Sequence, residues 1–229
     1  MRKDATAKAV ADITQTLSEW SLAMAHILHV DSSPRGERSI SRTLTHEFIN
    51  GWKAAYPDDT VTYRDLGHDP VPLVTETWIA AAFSDPASYT PELAEAIRPS
   101  DELIDELLAA DRYVFGVPMY NFTIPANFKA YIDQIVRAGR TFAVTESGYQ
   151  GLVEGKKALV ITAEGGVYRP GTPAAEVNFH EPYLKTILGF MGITDVTFIH
   201  GDGLAMGDET REKSLTEARE VIQATISSW

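Results

Sequence analysis

Five short apolar runs, each followed by a segment of a different periodicity, limit what this chain can fold into. The runs are Ile27–Val30, Val61–Leu66, Asp111–Val117, Lys157–Thr162 and Val196–His200, rich in β-branched and aromatic residues and too short for helices. Between and after them, apolar residues recur at helical spacing: Ile40, Leu44, Phe48 and Trp52; Leu103, Ile104, Leu107 and Leu108; Phe128, Ile132, Ile135 and Val136. Phe179, Tyr183, Ile187, Leu188 and Met191 form a further face, and Leu215, Val221, Ile222 and Ile226 close the chain. Strand alternating with helix, without an internal repeat, predicts an α/β fold: a doubly wound, five-stranded parallel sheet with helices on both faces. With 229 residues, 44% of them hydrophobic, the chain can bury one large core. Residues 26–229 are therefore expected to form a single domain.

Three loops of this plan fall on the carboxyl edge of the sheet, where open α/β sheets bind ligands. The first, Asp31-Ser32-Ser33-Pro34-Arg35-Gly36-Glu37-Arg38-Ser39, is polar and runs into a helix that Ser39 can cap. Free N–H groups and hydroxyls meeting at a helix amino terminus suit a phosphate. The loop has neither the Walker A nor the G-x-G-x-x-G spacing, so a single monoester phosphate fits better than ATP or a dinucleotide. Standing alone, it reads equally as a capped strand-to-helix turn. The second, Pro118-Met119-Tyr120-Asn121-Phe122, follows the most apolar strand and offers a flat wall plus an amide, as a planar heterocycle requires, or else packs its aromatics inward. The third, Ala163-Glu164-Gly165-Gly166, has two glycines that let backbone N–H groups approach a ligand. In the flavodoxin-like order 2-1-3-4-5 these loops flank the switch point at which FMN binds.

The remaining stretches are less regular. Val10, Ile13, Leu17 and Trp20 permit an amphipathic helix in residues 1–25, an extension whose Asp4, Asp12 and Glu19 do not suit a transit peptide. Residues 67–99 form a long Pro- and Asp-rich connection, after which Ser100 is expected to cap the next helix. Residues 141–153 read as a hairpin-like excursion. A formal charge of −12 argues against nucleic acid and anionic membranes as partners. No cysteine is present, which removes disulfides, thiolate catalysis and Cys-ligated metals and fits a cytoplasmic location. No apolar run reaches membrane-spanning length. The histidines at 26, 29, 46, 68, 180 and 200 are dispersed and read as hydrogen-bonded structural residues, with no metal site among them.

These motifs, with Ser39 and Ser41, Gly151-Leu152, Gly155-Lys156-Lys157 and Leu188–Val196, together resemble the FMN-dependent NADH-azoreductase and NAD(P)H:quinone oxidoreductase family over nearly all of residues 24–229. The resemblance implies bound FMN, with Ser33, Ser39, Ile40 and Ser41 on its phosphate. It implies Pro118, Met119, Tyr120, Asn121 and Phe122 at the isoalloxazine ring, and Gly165 and Gly166 at the ring's other edge. One departure stands out: where many members have Ser or Ala and then Arg before the paired glycines, this chain has Ala163-Glu164. Members are typically homodimers with active sites at the interface, which gives residues 67–99 and 141–153 a use.

By the same resemblance the expected activity is ping-pong, two-electron transfer from NADH or NADPH through FMN to quinones and aromatic azo compounds, with no dedicated catalytic residue. Two other readings stay open on sequence alone. One is a flavodoxin-like electron carrier acting on protein partners, and the other a cofactor-free interaction module.

Overall fold

The computed structural model describes residues 24–229; the helix expected near the amino terminus lies outside the described residues. The main sheet is five-stranded and parallel, in the order β2-β1-β3-β6-β7. Its strands are β1 (His26–Asp31), β2 (Thr60–Asp65), β3 (Arg112–Pro118), β6 (Lys157–Ala163) and β7 (Asp195–Gly201). The intervening β4 (Phe142–Thr145) and β5 (Gly148–Gly151) pair antiparallel with each other in a separate ribbon. The order 2-1-3-4-5 counted five strands and left this excursion out, so in chain order the observed sequence is 2-1-3-6-7.

The strands alternate their side chains between two cores. Ile27, Val114, Leu159 and Ile161 face Leu44, Phe48 and Trp52 of α1 (Ile40–Ala55) and Ile222 of α6 (Asp208–Ile226). Leu28, Val30, Phe115 and Val160 face the other way. There they meet Leu103 and Leu107 of α3 (Pro91–Ala109), Phe128 and Ile132 of α4 (Ala126–Ile135), and Leu184 and Leu188 of α5 (Glu181–Met191). Burial on both faces explains why β1, β3 and β6 read as unbroken apolar runs.

The structure corrects the reading of residues 67–99. α2 (Glu76–Ala82) lies within them, and α3 begins at Pro91, with Thr90 rather than Ser100 as its cap. Pro99 sits inside α3, where a helix boundary was expected. Ser100 is buried and turned inward: its hydroxyl donates to the Gln134 carbonyl at 2.6 Å and accepts from Arg137. Trp78, Ala81 and Ile97 form a small core of their own, and Trp78 donates to Gln134 at 2.8 Å. Among the described residues no helix is long and apolar enough to cross a membrane.

Register sets the level of the ligand edge. Asp31 lies opposite Gly116, and Pro118 opposite Ala163, so the loops after the three central strands leave side by side. The chain winds outward from β1 to β2 and returns to β3 on the other side, which opens a crevice between β1 and β3.

Candidate functional site

Ser32 anchors the first loop, donating both its N–H and its hydroxyl to the Gly116 carbonyl at 3.0 and 2.9 Å. Arg42, buried on α1, donates to the Ser33 carbonyl at 2.7 Å, and Asn127 donates to the Ser32 carbonyl at 2.8 Å. Ser39 caps α1, accepting from the N–H of Arg42, and lies 3.2 Å from the Ser41 hydroxyl. Among the described residues the N–H groups of Ile40 and Ser41 donate to nothing, as expected for the first turn of a helix.

The second loop closes on itself. Tyr120 and Thr123 exchange backbone hydrogen bonds at 2.8 and 3.2 Å. Between them Asn121 and Phe122 both adopt left-handed φ, at 50° and 70°. Two left-handed residues bridging such a pair are what a type I′ turn demands; Asn accepts this conformation readily, a phenylalanine does not. The Phe122 carbonyl accepts the N–H of Phe179 at 3.0 Å, which ties the turn to the segment before α5.

In the third loop the carbonyls of Glu164, Gly165 and Gly166 accept from Leu204, Ala205 and Gly203 at 2.8 to 3.0 Å. The N–H groups of Gly165 and Gly166 donate to nothing among the described residues. They are therefore available to a ligand.

These loops enclose a cleft of about 230 Å³. Ser33, Ser39, Ile40, Pro118, Met119, Tyr120 and Gly165 line it, as does the Glu164 that departs from the family pattern. Ser41 lies buried beneath the wall, and Asn121, Phe122 and Gly166 stand outside the lining. Ala163 of the third loop lines the cleft too, and sequence reasoning missed Arg35, Leu204, Ala205 and Arg211, which complete the lining. Arg35 sat in a loop already singled out. Arg211 lies in the first turn of α6 beside Asp208 and Glu209, and only the fold brings it to the cleft. Neither arginine has a carboxylate partner among the described residues, so the cleft carries two unpaired cations within an acidic chain. Unclaimed N–H groups, two hydroxyls and two guanidinium groups suit a phosphate monoester. Met119, Tyr120, Leu204 and Ala205 add apolar lining suited to a planar ring.

The histidines are not dispersed in space. His180, fully buried, and His200 close on the Glu164 carboxylate, with Nδ1 to Oε1 distances of 3.6 and 3.9 Å. Burial would raise the Glu164 carboxyl, but the two imidazoles outweigh it and pull the value down to about 2. His29 and His46 close in the same way on Asp31, away from the cleft. The Glu164 cluster joins residues from separate elements and no spacing announces it; in the Asp31 cluster His29 and Asp31 alternate on β1 and share a face, which their i,i+2 spacing allows, while His46 comes from α1.

Comparison with known proteins finds the same fold. The flavodoxin-like fold family matches residues 25–226. An FMN-dependent NADH:quinone oxidoreductase 2 of Trichormus variabilis is 65% identical over 90% of this chain and all of its own. A relative in Nostoc sp., named FMN-dependent NADH:quinone oxidoreductase, matches equally well. Among solved structures, an azoreductase of Bacillus anthracis is 33% identical with a TM-score of 0.84, over 90% of this chain and all of that one. An FMN-dependent NADH-azoreductase of the same species, crystallised with FMN, is 27% identical with a TM-score of 0.78 over 88% of this chain and 99% of that one.

Proposed function

The chain belongs to the family with the flavodoxin-like fold, and from that membership we infer that it is an FMN-dependent NADH:quinone oxidoreductase that also accepts aromatic azo compounds. The observation that carries the reading is the single cleft in which Ser33, Ser39 and Ile40 meet Met119, Tyr120 and Gly165. When bound, FMN supplies the redox chemistry, taking an electron pair from NADH and passing it to the acceptor. The chain's own residues position it and exclude water.

In this proposal the phosphate lies against Ser33, Ser39, the N–H groups of Ile40 and Ser41, and the guanidinium groups of Arg35 and Arg211. Pro118, Met119, Tyr120, Asn121 and Phe122 hold the ring from one side, and the free N–H groups of Gly165 and Gly166 hold it from the other. Residues 26–229 act as one FMN-binding domain of order 2-1-3-4-5 in its core strands, with residues 1–25 as an appendage. A homodimer is supported by apolar side chains standing in solvent on both excursions. Phe83 is 84% exposed and Leu73 73%, and on the β4–β5 ribbon Val144 and Tyr149 are each 70% exposed. A cytoplasmic location suits an enzyme supplied with NADH. An electron carrier acting on proteins gains no support, since the relatives matched along their whole length are named as enzymes.

Purified protein reconstituted with FMN is expected to oxidise one equivalent of NADH per bound FMN on its own and to turn over NADH continuously when a quinone or azo dye is present, and to elute as a dimer. A protein that refuses FMN in equilibrium dialysis would defeat the reading.

Asn121 offers a sharper test. Its left-handed φ makes Asn121→Ala ambiguous, because alanine strains the turn as well as removing the amide. Asn121→Gly keeps the turn. If the amide bonds the polar edge of the ring, where charge gathers on reduction, the midpoint potential of bound FMN falls. A charge-assisted bond of about 1.5–3 kcal/mol corresponds to roughly 30–60 mV for two electrons. The melting midpoint of the apoprotein stays put. An unmoved potential removes Asn121 from the site.

A further inference from the structure

The second histidine cluster lies outside the cleft, between β1, α1 and the edge strand β2, and nothing in the proposed reaction uses it. Asp31 is fully buried. Its Oδ1 fills the gap left by the missing side chain of Gly116 and accepts from Thr45 at 3.0 Å. Its Oδ2 faces three groups: His29 Nε2 at 3.3 Å, His46 Nε2 at 3.4 Å and the Tyr63 hydroxyl at 3.2 Å. His29 is only 3% exposed, yet its Nε2 has no hydrogen-bond partner. The two imidazole nitrogens thus approach one carboxylate oxygen without aiming an N–H at it. The point between the three atoms is where a ligand shared by them would sit.

That point has the dimensions of a metal ion. The three ligand atoms lie within 4.8 Å of one another. Around a tetrahedral ion with bonds of about 2.0–2.2 Å, neighbouring ligand atoms stand about 3.4 Å apart. The His29 and His46 distances to Asp31 already match. His46, with 53% of its side chain exposed, is free to turn by the remainder, and with Tyr63 also exposed the fourth position faces solvent. Two imidazoles and one carboxylate suit zinc and its neighbours rather than magnesium or calcium, which require a cage of oxygens. The nearby cation Arg42 is held by both oxygens of Asp65 and by the Tyr63 hydroxyl, and it donates no hydrogen bond to Asp31.

We propose that His29, Asp31 and His46 form a binding site for one zinc-class divalent ion per chain, with its fourth position open to water beside Tyr63. The ion would clamp β1 to α1 behind the loop that begins at Ser32, without entering the cleft. The inference does not depend on the flavin reading.

The test is isothermal titration of untagged, chelator-treated protein with zinc chloride near neutral pH, together with the visible absorption of the Co²⁺ form. One equivalent is expected to bind, to give the intense bands of tetrahedral cobalt, and to raise the melting midpoint. His46→Ala removes an exposed ligand and leaves the fold and FMN content intact. It should weaken zinc binding by at least about 10-fold and abolish the cobalt bands. His68→Ala removes an exposed imidazole outside the cluster and should change neither. No binding at one equivalent, or binding that His46→Ala leaves untouched or that His68→Ala weakens equally, overturns the site.

Discussion

Gly67→Ala is expected to cost both the fold and the cofactor. A Cβ built at Gly67 would come closer than 3.0 Å to the Ser33 carbonyl carbon and oxygen and to a guanidinium nitrogen of Arg42. Two of those atoms are main chain, so no rotamer change relieves the overlap, and the first loop itself must move. Its movement strains the bonds from Arg42 to Ser33 and from Asn127 to Ser32 and Leu66, at 2.7, 2.8 and 2.9 Å. Overpacking of this kind costs about 1–3 kcal/mol. Loss of one charge-assisted contact to a phosphate costs a similar amount, which weakens FMN about 10- to 100-fold. Denaturation of the apoprotein and FMN titration measure the two separately. Gly189→Ala is the control: it lies in α5, a Cβ there meets nothing within 4 Å, and stability should rise by about 0.5–1 kcal/mol. A Gly67→Ala protein that melts normally and keeps its FMN would show that the loop is not held as described.

Gly67 also shows how far the sequence could be read. Its loop lies after β2, which the β-branched run announced, but the tight approach to Ser33 joins residues 34 apart and leaves no local pattern. The central strands were legible because each is buried on both faces and carries one unbroken apolar signal. The helices on either face were legible for the matching reason, one apolar stripe each. α2 and the first half of α3 were not. Their core is Trp78, Ala81 and Ile97, too few residues to impose a period, and Pro99 reads as a boundary although α3 passes through it.

The cleft divides along the same line. Its loops were visible because turn and cap residues follow strand ends, and Ser33, Ser39, Met119 and Gly165 do line it. Arg35 and Arg211 differ in this respect. An arginine gives no sign in the sequence of whether a carboxylate will reach it, and it is their lack of one in the cleft that led us to propose these two as phosphate partners. The histidines carry the same lesson in stronger form. Asp31 gathers one pair and Glu164 the other; spacing on β1 puts His29 beside Asp31, but only the fold brings in His46, His180 and His200, 15 to 36 positions from their carboxylates.

Glu164→Gln should turn that hidden pairing into a measurable pH dependence. The carboxylate is 1% exposed and faces His180 and His200, while His200 Nε2 reaches Glu181 at 3.5 Å on the outer side. Its folded-state value of about 2 lies below the ordinary 4.5. Ionised Glu164 therefore contributes stability that is fully present above about pH 4.5 and is lost as the pH falls toward 2. The amide has the shape of the acid without its charge. At neutral pH the variant is expected to lose about 1–3 kcal/mol, because it removes the buried charge that attracts the two imidazoles. That deficit should shrink as both proteins are taken down through the window, because protonation gives the wild type the same neutral side chain. Urea denaturation of the apoproteins at stepped pH measures it. A deficit of constant size across the window would assign Glu164 to packing alone, and no deficit at any pH would remove the pairing with the two imidazoles altogether.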